Sequence, residues 1–218
     1  MRRILLTLVA CAFLFVPMSA LAQIRITEWE YNGLNDNDGG EFVELINIGT
    51  SPINMAGWSF DDASGVAGSF SIGGFGIVQP KEVVIISEAA AADFRTAWNL
   101  PASVKVVGPN NQNLSRNDGL YIFDNTSTVV DFMLFGDQDI PGTIRTQGFS
   151  GNPMTVAALG AHNVALWKRS AVGDEYGSYA SVGGNIGNPG KFLLIPEPSS
   201  LVLLMLAVGG CAISRRGR

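Results

Sequence analysis

Gly40-Glu41-Phe42-Val43-Glu44-Leu45-Ile46-Asn47, followed by Gly49-Thr50-Ser51-Pro52, is the stretch from which the fold is read. Apolar and polar residues alternate at period two, the repeat of a β-strand, and both faces of that strand are partly apolar. Gly49 to Pro52 then carries turn chemistry and leads into Ile53-Asn54-Met55. Upstream, Gln23-Ile24-Arg25-Ile26-Thr27-Glu28-Trp29 has the same alternation. Downstream, Gly57 precedes Trp58-Ser59-Phe60, and Glu82-Val83-Val84-Ile85-Ile86 is a β-branched run. Leu120-Tyr121-Ile122-Phe123 and Val129 to Leu134 flank the polar Asp124-Asn125-Thr126-Ser127, which predicts a hairpin.

One stretch argues for helix. Glu88 to Trp98 is rich in alanine and other helix formers and stops before Asn99-Leu100-Pro101. Short strands, frequent glycine and a single connecting helix predict an all-β fold, an antiparallel β-sandwich. Such a fold buries one face of each sheet, so Trp58, Phe60, Ile72, Val84, Ile86, Ile122 and Val130 are the expected core. Gly57 lets the chain turn into Trp58, and Asn47 is placed to satisfy backbone groups at a strand end. No internal repeat is visible.

The two cysteines, Cys11 and Cys211, lie near the ends, so the segment between them offers no disulfide, thiolate metal site or cysteine nucleophile. Five of the 14 Lys+Arg and only Glu197 of the 19 Asp+Glu lie in the terminal segments, leaving 9 basic and 18 acidic residues, a net charge of −9. That balance disfavours nucleic acid as a partner, because phosphate backbones are repelled. About 170 residues suffice for one domain with its own core.

The same residues carry a family resemblance. Ile24-x-Ile26-x-Glu28, Gly40 to Leu45 with Asn47 and Gly49, Pro52 to Met55 with Gly57-Trp58-x-Phe60-x-Asp62, Leu114-Ser115-x-Asn117-Asp118-Gly119-x-Tyr121-Ile122-x-Asp124 and Val129-Val130-Asp131 resemble a bacterial lamin-tail domain. The resemblance implies an immunoglobulin-like sandwich over residues 23–191. Ala165-Leu166-Trp167-Lys168-Arg169 and Asn188-Pro189-Gly190 resemble the family's closing strand and end loop, and residues 136–163 read as an insertion. A fold of this kind does not fix a function.

The sequence spells no enzyme signature. His162 is the only histidine, no Gly-x-Ser-x-Gly elbow occurs, and Walker, His-Glu-x-x-His and dinucleotide fingerprints are absent. Glu28/Glu30 and Asp61/Asp62 are carboxylate pairs of the kind glycoside hydrolysis uses, but adjacent acids read here as solvated surface charge. No catalytic residue and no cofactor is predicted. Asn35-Asp36-Asn37-Asp38-Gly39-Gly40-Glu41 packs oxygen ligands suited to Ca²⁺ into a glycine-rich loop, out of EF-hand register; a polar inter-strand loop with Asx turns is the other reading, and no metal ligand is assigned.

Both ends read as targeting segments. Met1-Arg2-Arg3, the apolar run Ile4 to Val16 and Ala20-Leu21-Ala22 form a signal peptide over residues 1–22, cut between Ala22 and Gln23, which calls for the Sec translocon and signal peptidase. At the other end Pro196-Glu197-Pro198 precedes an apolar run from Leu201 to Ile213 and then Arg215, Arg216 and Arg218. The prolines fix an extended peptide, and a helix over about residues 199–214 is short for a bilayer whose core is about 30 Å thick. The arginines would hold the C-terminus in the cytoplasm. These three parts, over residues 192–218, resemble the PEP-CTERM sorting signal. That resemblance implies an exosortase partner acting near the Pro-Glu-Pro peptide, in bacteria that make exopolysaccharide.

The sequence thus predicts an exported protein, held for a time in the inner membrane with its domain outside the cytoplasm, then moved to the outer surface or secreted. A structural or adhesive module in exopolysaccharide is the first expectation. A glycan- or protein-binding module, Ca²⁺-dependent or not, and an accessory to an extracellular hydrolase are the alternatives. Exposure of Tyr31, Tyr176 and Tyr179 would favour glycan binding, and their burial a structural module.

Overall fold

A computed structural model describes residues 24–34, 39–136 and 142–193. Ala22 and Gln23 of the signal cut, Asn35 to Asp38 of the acidic loop, and the sorting residues Pro196, Glu197, Pro198, Arg215 and Arg216 lie outside the described residues. Among the described residues no helix is long and apolar enough to cross a membrane.

In chain order the elements begin with β1 (Ile24–Glu30), β2 (Phe42–Asn47), β3 (Ile53–Asn54), β4 (Ser59–Asp61), β5 (Phe70–Ser71), β6 (Ile77–Val78) and β7 (Val83–Ser87). Helix α1 (Ala91–Ala97) leads to β8 (Lys105–Val107), β9 (Asn117–Phe123) and β10 (Val129–Gly136). β11 (Gly151–Pro153), β12 (Trp167–Arg169), β13 (Tyr179–Ala180) and β14 (Ile186–Gly187) follow. A six-stranded sheet runs β12-β11-β1-β2-β7-β8, and a four-stranded sheet runs β10-β9-β4-β5. Their inner faces enclose the main core, in which Ile26, Trp29, Leu45, Trp58, Phe60, Ile72, Val84, Ile86, Leu120 and Ile122 are buried. Of the expected core residues only Val130 is part-exposed, packed at the margin.

The sandwich is antiparallel but for one pair. β7 and β8 are parallel, because the chain leaves β7, crosses through α1 and returns in the same direction. The helix is shorter than the alanine-rich run predicts. Glu88 N–H donates to the Glu41 carbonyl at 3.2 Å and Ala89 N–H to Ser87 Oγ at 3.0 Å, so these residues are held in the strand exit before the first turn. The far end is as read: Asn99 adopts φ of 50°, and Leu100 N–H closes on the Arg95 carbonyl at 2.8 Å, just before Pro101.

The predicted hairpin is β9 and β10. Asp124 holds its turn, its carboxylate accepting Thr126 N–H at 2.8 Å, Thr126 Oγ1 at 2.7 Å and Thr128 N–H at 3.0 Å. Asn47 does what its position at the end of β2 suggests: Nδ2 donates to the carbonyls of Ser51 at 2.9 Å and Val78 at 3.1 Å, while Oδ1 accepts Gly49 N–H. Gly57 has φ of 80°, and a Cβ there would meet Asn125 Cβ at 3.1 Å, so the turn into Trp58 needs glycine.

A third layer covers the outer face of the six-stranded sheet. Phe42, Ile85 and Val106 project from it into a second core closed by Phe94 and Trp98. Trp98 meets Phe42 edge-on at 5.6 Å and Tyr179 at 5.7 Å, and its Nε1 donates to the Gly39 carbonyl at 2.9 Å. The region expected as an insertion supplies β11, which pairs with β1 through Trp29 and Gly151 and with β12 along its whole length. The expected closing strand, around Trp167 to Arg169, is therefore an edge strand beside β11.

Candidate functional site

The antiparallel register of β1 and β2 sets Glu28 directly opposite Glu44. Their neighbours in the ladder, Trp29 and Val43, point into the main core, so the two carboxylates point to the outer face. That face is covered, and both glutamates have zero exposure. Glu28 Oε1 accepts from Ser150 Oγ and, at 2.8 Å, from Asn188 N–H. Glu44 accepts from Thr27 Oγ1 at 2.7 Å and from Gly190 N–H at 2.7 Å. Glu28 Oε2 has no hydrogen-bond donor.

Burial is the main force on both groups. It lifts the Glu28 carboxyl well above the usual carboxylate range, with the Glu44 charge adding to the rise. It pushes Glu44 up to about 7 against the donors that favour its charge. Two like charges face to face in a dry layer cannot both ionise cheaply, so the pair retains a proton at moderate pH.

The cover is polar and comes from the late part of the chain. Ser150 and Ser170 hydroxyls are 2.6 Å apart, and Asn152 Nδ2 donates to Ser170 Oγ at 2.7 Å and Asn188 Oδ1 at 2.9 Å. Asn188 returns its Nδ2 to the Lys191 carbonyl at 2.9 Å. Asp174 shapes the loop beneath, accepting Ala171 N–H at 3.0 Å, Tyr176 N–H at 3.1 Å and Ser178 Oγ at 3.0 Å. Gly187 passes so close that a Cβ would meet Glu28 Oε1 at 2.8 Å, Ser150 Oγ at 3.0 Å and Trp98 at 3.2 Å. The arrangement can store a proton and hold a segment in place. Its carboxylates have no solvent-facing side from which to attack a substrate.

The other predicted groups are separate. Glu28, Glu30 and Asp61, expected as solvated charge, are fully buried, because the third layer and the Ser64–Val66 loop close over their strands. Asp61 Oδ2 accepts Ser64 Oγ at 2.6 Å, and Asp62 caps Ser64 N–H at 2.8 Å. His162 lies 3.2 Å from Asp131 and its ring is 3.9 Å from Phe132. Asp131 is meanwhile bound to Ile26 N–H at 2.9 Å, a tie between the two sheets. From the acidic loop, Gly39 gives its carbonyl to Trp98, and Glu41 gives its carboxylate to Leu114 N–H at 3.1 Å. Burial pushes Glu41 up to about 9. Among the described residues no group of three or more His, Cys, Asp or Glu is arranged to hold a metal ion.

Tyr31 and Tyr176 are buried and Tyr179 is half-buried with its hydroxyl on the Trp98 carbonyl at 2.7 Å, so the three form no exposed row. The residues missed from sequence are Ser150, Asn152 and Ser170, whose side chains meet only because β11 and β12 pair. Asn188-Pro189-Gly190 was visible as an end loop, but nothing in its spelling points to Glu28, 160 residues earlier.

Residues 17–136 match a family model described as Lamin Tail Domain, more than half of the chain. Searches among curated proteins and among solved structures return no match. That match stops at the end of β10, so β11 to β14 and the cover over Glu28 lie beyond it. A mostly β-sheet sandwich with one helix accompanies the match, the immunoglobulin-like architecture of a structural domain and of no known catalytic family. The chain belongs to the lamin tail domain family.

Proposed function

We propose that this is an exported, non-enzymatic envelope protein whose sandwich serves as a structural or adhesive module in exopolysaccharide, and whose residues 192–218 are a PEP-CTERM sorting signal processed by an exosortase. The signal peptide cut between Ala22 and Gln23 delivers the chain through the Sec translocon. The apolar segment near residues 199–214 then holds it in the inner membrane, with the domain outside, until processing near Pro196-Glu197-Pro198 sends it to the surface or the medium.

The observation that carries this reading is the way the described domain ends. Asn188 and Gly190 are tied by buried carboxylates to β1 and β2, and Pro196 follows Lys191 after only four residues. A link of four residues reaches at most about 13 Å, which suits processing close to the domain. Burial of Tyr31 and Tyr176 also supports a structural role over sugar stacking by the tyrosines.

The test is replacement of Pro196, Glu197 and Pro198 by alanine, with cell fractions followed by mass spectrometry of the C-terminus. The expected result is normal export and a full-length form held in the membrane. A variant that reaches the medium with the same mature C-terminus as the natural protein overturns the sorting reading.

A further inference from the structure

The strongest unexplained feature is a stack of choices that all concern one segment. Residues 188–191 end on the outer face of β1 and β2, where their backbone N–H groups are held by two acidic side chains with no cation to balance them. Residues 171–187 are held besides by Tyr176 Oη on the Pro153 carbonyl, Val182 N–H on the Ala97 carbonyl and the Ile186 backbone on Gly148 and Ser150. Thr27, Ser150, Asn188, Gly190 and Lys191 donate to the pair, all as neutral groups. The charged or titratable groups that act on it are Asp174 from the covering loop and Tyr179 from β13, besides the two glutamates themselves. From the helix side only the Trp98 ring reaches the site, against Gly187. Among the described residues no Lys, Arg or His side chain acts on either carboxylate.

Such a site has two states. With a proton on the pair, one carboxyl group is neutral and the single charge is met by the donors of its own carboxylate, Ser150 and Asn188 at Glu28 or Thr27, Gly190 and Lys191 at Glu44. With both ionised, two charges stand opposite one another with no exposure to solvent, and Asp174 adds a third nearby. Opening the cover admits water to both carboxylates and removes the penalty. The main core is not needed for that, because its residues lie on the other face of the sheet. We propose that residues 188–191 form a proton-gated clasp, seated on β1 and β2 while the Glu28/Glu44 pair keeps a proton and lifting when both groups ionise. The direction of the burial effect on each glutamate agrees with this geometry.

Lifting changes two things. It opens Glu28 and Glu44 to solvent, and it frees the four residues from Asn188 to Lys191, which reach about 13 Å when extended. The clasp and the sorting reading share the Asn188 and Gly190 ties, but protection of those amides and the identity of the mature C-terminus are separate readouts.

Amide hydrogen exchange read by mass spectrometry on the full chain in detergent micelles tests it, with rates at pH 5.5 and pH 9 converted to protection factors. Amides of Asn188 and Gly190 are expected to lose at least tenfold protection at the higher pH while those of Val84 and Ile122 keep theirs. Glu28→Gln leaves one ionisable group at the site and is expected to keep the clasp protected at both pH values; Glu44→Gln serves the same purpose should the first variant fail to fold. Unchanged protection in the natural protein overturns the proposal. So does loss shared equally by Val84 and Ile122, or an equal loss in the glutamine variants.

Discussion

Glu28 and Glu44 face one another across the β1/β2 ladder, with no solvent on either. Like charges directly opposite are unfavourable even on an open sheet, and burial makes them more so. The folded state therefore binds protons that the unfolded chain has released, and stability falls as pH rises. For Glu44 the loss begins above the ordinary value of 4.5 and is complete once pH passes about 7. Glu41, at about 9 in the folded state, extends the decline into alkali. Thermal melting of the protein from pH 5 to pH 9 is expected to show a Tm lower by roughly 5–10 °C at the upper end, a loss on the order of a few kcal/mol. Glu44→Gln is expected to flatten the part of that slope below pH 7.

Gly187 is held by space. Gly187→Ala puts a methyl group into Glu28 Oε1, Ser150 Oγ and Trp98, none of which can move without breaking a buried contact. Denaturant unfolding is expected to show a loss of about 1–3 kcal/mol, the usual range for overpacking. An unchanged midpoint would show that the cover is loosely seated.

Trp98 couples α1 to the sheet through ring packing and through the Gly39 carbonyl. Trp98→Ala is expected to cost about 3–5 kcal/mol by equilibrium unfolding. Trp98→Phe restores most of the packing but strands the Gly39 carbonyl, which places it near 1–3 kcal/mol.

Asp131 and His162 are expected to differ in consequence although they touch. Asp131→Ala removes the acceptor for Ile26 N–H between the sheets and should cost about 1–3 kcal/mol. His162→Ala removes a part-exposed partner and should stay within about 1 kcal/mol. Urea melts of the two variants side by side decide the order.

The main sandwich was legible because its strands carry period-two patterning and its turns carry Asn47, Gly57 and Asp124, each with a local job that shows in local sequence. Glu28 and Glu30 were misread for a complementary reason. An alternating strand spells an outer face with polar letters whether that face meets water or a third layer, and the layer here is built from Phe94, Trp98 and a segment about 150 residues away. Ser150, Asn152 and Ser170 were illegible because three small polar residues in glycine-rich loops look alike until β11 and β12 bring them together. The alanine run overstated α1, since Glu88 and Ala89 were already bound to Glu41 and Ser87.

Ile24–Glu30 is the earliest described strand of a chain delivered N-terminus first, yet it is an interior strand whose second neighbour is Gly151–Pro153 and whose lid arrives with Asn188. At about 5–20 residues per second, the gap of 160 residues keeps that strand half-married for roughly ten to thirty seconds. The β9–β10 hairpin, whose contacts are local, can form meanwhile, but the finished sheet cannot. Maturation of this sandwich is thus a closing act, scheduled by the arrival of its own last loop, and a nascent chain halted short of Asn188 presents an open seam to whatever escorts it.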